Sequence, residues 1–253
     1  MFERPDQRQP GELRPIRLTR QYTRFAPGSV LVAYGATQVL VTATVEDRVP
    51  RHIHQQQKEQ KDENLGWLTA EYSMLPGATQ TRNSRDRLKV SGRTMEIQRL
   101  IGRTLRTCVD LTRLGSRTIT IDADVLQADG GTRVAAVTGA YVALVDALHS
   151  LKKQGDLSEI PLKFALAAVS VGIVQGTVLL DLNYEEDSAA DVDSNIVMND
   201  RGEIVEWQSS TESTPFHRDT MMHMLNMAES GIQQLLSLQQ QALAEPEATV
   251  LAV

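Results

Sequence analysis

Hydrophobic and polar positions change period several times along the chain, and the changes divide it into elements. Ser29 to Glu46 holds two β-branched runs, SVLVAY and TQVLVTATVE, separated by Gly35-Ala36, which predicts a hairpin. Residues 51 to 64, RHIHQQQKEQKDEN, are polar and aperiodic and read as an exposed loop. A short strand is expected at Leu68 to Met74. After Ser91 the period lengthens: Ile97, Leu100, Ile101, Thr104, Leu105 and Cys108 recur at helical spacing, with Arg99, Arg103 and Arg106 opposite. RTITIDADVL, Arg117 to Leu126, alternates strictly as a half-buried strand does, and DGGT breaks it. Arg133 to Leu148 is rich in small residues and predicts a closely packed, mostly buried helix.

The second half opens as the first did. LAAVSVGIV, Gln175-Gly176 and TVLLDLNYEED repeat the hairpin and acidic exit of residues 29 to 47. Asn195 to Met198 and Glu203 to Gln208, joined through NDRG, form another hairpin, and a Met- and Gln-rich helix closes the chain from Arg218 to Ala244. Strands that come in hairpins favour an α/β or α+β fold with mixed sheets over a doubly wound nucleotide fold. The expectation is one domain over 1–253, with duplicated strands-plus-helix units as halves at roughly 1–150 and 160–253.

Composition adds limits. With 41% hydrophobic and 23% charged residues over 253 positions, wholesale disorder is excluded and a core without staples is feasible. The single cysteine, Cys108, has no internal partner for a disulfide and reads as a small buried hydrophobe. The N-terminus lacks the apolar stretch of a secretory signal, and the apolar run Phe164 to Val174 is too short to cross a bilayer. A soluble cytoplasmic protein without a membrane partner is expected.

The net charge of −6 is mildly unfavourable for a polyanion partner, but the charge is unevenly spread. Arg82 to Arg106 carries eight basic residues against Asp86 and Glu96, whereas Asp181 to Asp193 carries six acids and no base. The first region suits phosphate and the second a divalent cation. Asp129-Gly130-Gly131-Thr132-Arg133 joins a strand to a helix. Paired glycines, helix-start amides and a guanidinium fork suit an anion there, although such a turn also serves purely structural ends. Arg93 heads a semi-buried helical stripe, so it needs either an internal ion pair or a phosphate shared with Arg133. Asp181 on its strand and Asp187 at the exit could converge on one cation or stay solvated. His52, His54, His217 and His223 lack zinc spacing, and Trp67 and Trp207 read as packing residues.

Six segments in order, LRPIRLTRQYT (13–23), GWLTAEYSMLP (66–76), SGRTMEIQRLIGR (91–103), DVLQADGGTR (124–133), AAVSVGIV (167–174) and EDSAADVDSNIVM (186–198), resemble the ribonuclease PH family. The resemblance runs from about residue 4 to residue 244. It implies a ribosomal protein S5 domain 2-like fold and phosphorolytic 3′→5′ exoribonuclease activity on RNA, notably transfer-RNA precursors. Inorganic phosphate would be the co-substrate and nucleoside diphosphates the products. It further implies phosphate binding by Arg93, Gly131, Thr132 and Arg133, catalytic and Mg²⁺-holding roles for Asp181 and Asp187, and RNA binding by Arg82, Arg85 and Arg87. A homohexameric ring, a trimer of dimers, is implied as well. The family's RPDGR start is RPDQR here, its MLPR is Met74-Leu75-Pro76-Gly77, and the segment from Pro50 to Gly66 is longer than usual. A hydrolytic metal-dependent nuclease and a catalytically inactive RNA-binding ring subunit are the rival readings.

Overall fold

The computed structural model describes residues 3–61, 64–85, 90–211 and 215–245. Alternating sequence becomes two sheets. β1 (Ile16–Arg20), β2 (Gly28–Tyr34), β3 (Thr37–Glu46), β4 (Trp67–Met74) and β5 (Thr118–Gln127) form a five-stranded sheet in the order β1-β2-β3-β5-β4. All of its pairs are antiparallel except β4 with β5, which run parallel. β6 (Leu166–Val174), β7 (Thr177–Leu180), β8 (Val192–Asn199) and β9 (Ile204–Thr211) form a four-stranded antiparallel sheet in the order β7-β6-β8-β9. The mixed α/β architecture expected from the hairpins is present.

Among the described residues five α-helices complete the order: α1 (Arg51–Gln60), α2 (Gly92–Cys108), α3 (Thr132–Gln154), α4 (Tyr184–Ser188) and α5 (Arg218–Ala244). α3 packs on β2 and β3 on one side and on β6 on the other, which is why its sequence is apolar around nearly its whole circumference. By length and composition alone it would cross a bilayer, a property that the run Phe164 to Val174 did not reveal. Here 89% of its apolar window is buried inside the fold. A polar cluster crosses this core: Tyr34 Oη donates to Thr138 Oγ1 at 2.9 Å, Ala168 N donates to the same oxygen at 3.0 Å, and Gln239 Nε2 donates to Thr138 O at 2.9 Å, while Gln239 Oε1 is buried without a partner. Cys108 is buried among apolar side chains, and burial pushes its thiol up to about 12.

The 51–64 segment differs from the expected loop, since most of it is α1. Its sequence shows no apolar period because, among its described side chains, only Ile53 and Gln57 are buried. The Gln57 amide is buried by donating to Leu65 O and to Ser116 Oγ, each at 2.7 Å. A polar side chain with both partners supplied by distant backbone and hydroxyl groups fills the place of an apolar one.

Candidate active site

β5 ends at Gln127, and the turn that follows carries Ala128 to Arg133 into a cleft of about 530 Å³ between the two sheets' ends. Gly130 and Gly131 both have left-handed φ, 73° and 67°. A Cβ on Gly130 would lie 2.5 Å from the carbonyl carbon of Asn183 and 2.6 Å from Leu182 O, so only glycine lets this turn touch the second half of the chain. Thr37 fixes the turn from below: its Oγ1 donates to Gly130 O at 2.6 Å and accepts from Asp129 N at 2.9 Å. No side chain caps α3 at Gly131, so the helix's first-turn amides are left for an anion.

Arg133, in that first turn, donates to Glu96 Oε1 and Gln208 Oε1, each at 3.1 Å. Its neighbour Thr132 shares a 2.8 Å hydrogen bond with the buried Tyr72 hydroxyl. Arg93 enters the same cleft from the start of α2, where Ser91 Oγ accepts from Thr94 N and caps the helix. Arg93 makes no ion pair among the described residues, so the internal salt bridge considered from sequence is not what holds it. Two guanidinium groups and an uncapped helix start thus meet at one spot. Arg82 and Arg85 are exposed on the stretch beside Asn83, which lines the cleft; Arg87 lies outside the described residues.

The carboxylates are placed differently from the expectation. Asp187, on α4, lines the cleft, but Asp181 does not. Asp181 is fully buried, and Arg14 grips both of its oxygens, Nη2 to Oδ1 at 2.7 Å and Nε to Oδ2 at 3.0 Å. The second carboxylate in the cleft is Asp193 on β8, with Asn195 two residues on along the same face. Spacing of two along a strand was the signal available for this pair. Burial holds the Asp187 carboxyl above its ordinary range, against the pull of Arg93, Arg133 and Arg14. Burial and the charge of Asp187 push Asp193 up to about 6, with Arg133, Asn195 and Arg93 acting the other way.

Asp193 Oδ1 is buried without a hydrogen-bond partner. An orphaned carboxylate oxygen beside a second carboxylate fits a divalent cation, whereas Asp181, saturated by Arg14, does not. Among the described residues no group of three or more His, Cys, Asp or Glu side chains is gathered to hold a metal, so such an ion would take further oxygens from substrate or water.

The chain matches two family models, "3' exoribonuclease family, domain 1" over residues 12–149 and "3' exoribonuclease family, domain 2" over residues 165–231. It is 57% identical over 245 residues to a curated protein named Ribonuclease PH from Synechococcus sp. (strain JA-2-3B'a(2-13)), covering 96% of this chain and 98% of that one. It is 52% identical over 244 residues to Ribonuclease PH of Crocosphaera subtropica, covering 96% and 99%. Among solved structures it superposes with TM-score 0.78 on an Archaeoglobus fulgidus exosome with RNA bound to the active site, at 22% identity, covering 93% of this chain and 92% of that one. Rice Rrp46 gives 0.75 at 20% identity, covering 95% and 100%. These likenesses show the fold expected from the resemblance, the ribosomal protein S5 domain 2-like one.

Proposed function

Because this chain belongs to the 3′ exoribonuclease family typified by ribonuclease PH, it is a phosphorolytic 3′→5′ exoribonuclease acting on RNA, and we propose how its cleft performs that reaction. The observation that carries the proposal is the convergence of Arg93, Arg133 and the uncapped start of α3 on one side of a cleft whose other side bears Asp187 and Asp193.

Inorganic phosphate sits against Arg93, Arg133 and the amides near Gly131 and Thr132, where charge-assisted hydrogen bonds orient it and screen its repulsion from the RNA phosphate. An oxygen of that phosphate attacks the terminal phosphodiester in line, the penultimate nucleotide's 3′-oxygen leaves, and a nucleoside diphosphate is released. The work is mainly positioning and electrostatics. Asp187 and Asp193 would hold Mg²⁺, which supplies charge neutralisation at the reacting phosphate when bound. Asp181 keeps its place in the family motif, but its support for the cleft is through Arg14.

RNA approaches over the stretch bearing Arg82 and Arg85, with Arg87 beyond the described residues. Exposed guanidinium groups there grip backbone phosphates without reading sequence. Transfer-RNA precursors with single-stranded 3′ ends are the proposed natural substrates, and a homohexamer, a trimer of dimers in the cytoplasm, the working assembly. Likeness in fold to subunits of an Archaeoglobus fulgidus exosome and of an archaeal exosome core supports an assembly of several chains. Trimming of a 3′-tailed transfer-RNA precursor with Mg²⁺ and phosphate, followed on particles sized by light scattering, tests these points. Tail removal by six-chain particles is expected, and full activity from a monomer, or equal turnover after complete Mg²⁺ removal, would refute them.

A further inference from the structure

The N-terminal segment reaches across the molecule to the turns that build the cleft. Arg14 donates three hydrogen bonds to Asp181, 167 residues away: from its main-chain N to Oδ2 at 2.8 Å, from Nε to Oδ2 at 3.0 Å and from Nη2 to Oδ1 at 2.7 Å. The same guanidinium donates from Nη1 to Asp129 O at 2.5 Å and from Nη2 to Gly130 O at 3.5 Å. One side chain therefore ties the turn that holds phosphate to the turn that leads into α4. Arg4, also buried, reinforces the second turn, donating to Asp181 O at 3.1 Å and bidentately to Glu186 at 2.6 and 2.7 Å. Glu186 directly precedes Asp187. Asp181 itself has φ of 53°, a left-handed conformation that a non-glycine residue adopts at a cost, and its side-chain bonds hold it there. Neither Arg14 nor Asp181 lines the cleft.

We propose that Arg14 and Asp181 form a positioning strut that sets the gap between the phosphate-binding turn and the Asp187-bearing turn, and so aligns attacking phosphate with the scissile bond. The inference rests on the phosphorolytic reading. Each half of the site keeps its own groups when the strut is cut, because Arg93, Arg133, Asp187 and Asp193 stand on α2, α3, α4 and β8. What changes is their relative placement. Reacting atoms must lie within about 3–3.5 Å, and a misplacement of about 1 Å costs on the order of 100-fold in rate. Arginine is required because its fork reaches a carboxylate and two carbonyls at once, which a lysine ammonium cannot do.

Two variants separate a positioning role from a merely structural one. Arg14→Lys keeps the charge and loses the fork. The double variant Arg14→Met with Asp181→Asn leaves no unpaired buried charge, so the fold survives even if the single variant does not, and asparagine tolerates the left-handed backbone at 181. For both, kcat is expected to fall about 100-fold, while the KM for phosphate and the Kd for RNA stay within about threefold of wild type. Mn²⁺ binding, followed by electron paramagnetic resonance, should be unchanged in the double variant. A kcat per folded enzyme within about threefold of wild type would overturn the proposal and leave a purely structural pair. Loss of Mn²⁺ binding with phosphate binding intact would also overturn it, making Asp181 a cation ligand. Wild type assayed alongside distinguishes the two failures, because absence of phosphate-dependent turnover there would refute the phosphorolytic reading itself.

Discussion

Asp193→Asn should abolish turnover and yet make the protein more stable at neutral and alkaline pH. The carboxyl is carried from 3.8 to about 6, first by burial and then by the charge of Asp187. Between those two pH values the folded chain binds more protons at this site than the unfolded chain does. Stability therefore falls as pH rises through the window, and the whole penalty is present above it. At about 1.4 kcal/mol per tenfold change the shift corresponds to roughly 3 kcal/mol, and water reaching the cleft reduces this to about 2–3 kcal/mol. Asparagine keeps the shape and carries no charge, so it escapes the penalty. Urea denaturation of wild type and variant, in phosphate-free buffer with a chelator, should show the variant ahead by about 2–3 kcal/mol at pH 8 and by about half as much at pH 5. An advantage that does not change with pH, or a variant less stable than wild type at pH 8, would refute the electrostatic picture of the cleft.

Arg93→Ala or Arg133→Ala should each cost about 2–4 kcal/mol of transition-state stabilisation with RNA affinity nearly unchanged, measured as kcat/KM for phosphate and as RNA Kd. Replacing Arg82, Arg85 and Arg87 together with Ala should weaken binding of a long structured RNA and lower its salt slope by up to about three phosphate equivalents, sparing a short oligonucleotide; equal losses on both would mean that these arginines support the fold. Gln7 stands where the resembled family has glycine and adopts φ of 64°, so Gln7→Gly should stabilise the protein by about 0.5–1 kcal/mol in thermal unfolding, the relieved left-handed strain exceeding the entropy that glycine adds to the unfolded chain.

Local pattern made most of the fold legible. α5 spans Arg218–Ala244 as its period indicates, and the alternation of RTITIDADVL is β5. The helix α1 was hidden because its buried side chains, among those described, are one isoleucine and a glutamine whose partners lie elsewhere in the chain. Parallel pairing of β4 with β5 was equally illegible, since it joins strands separated by α2 and leaves no turn signature. At the site, Arg93, Gly131, Thr132 and Arg133 could be read from motif and element boundary, and the cleft gathers them. The acids could not be sorted in the same way. Asp181, Asp187 and Asp193 follow one another at equal spacing, so spacing alone does not say which two share the cleft. A long-range contact decides it, the grip of Arg14 on Asp181, and no local period encodes that.

The fate of the attacking phosphate decides whether phosphate or water is the nucleophile. The protein is incubated with Mg²⁺, a 3′-tailed RNA and radiolabelled inorganic phosphate, and the released nucleotides are separated. Nucleoside diphosphates carrying the label in the β-phosphate are expected, with no release without phosphate, because Arg93, Arg133 and the start of α3 hold phosphate as the nucleophile. Unlabelled nucleoside monophosphates, formed at the same rate in phosphate-free buffer, would refute phosphorolysis and make water the nucleophile.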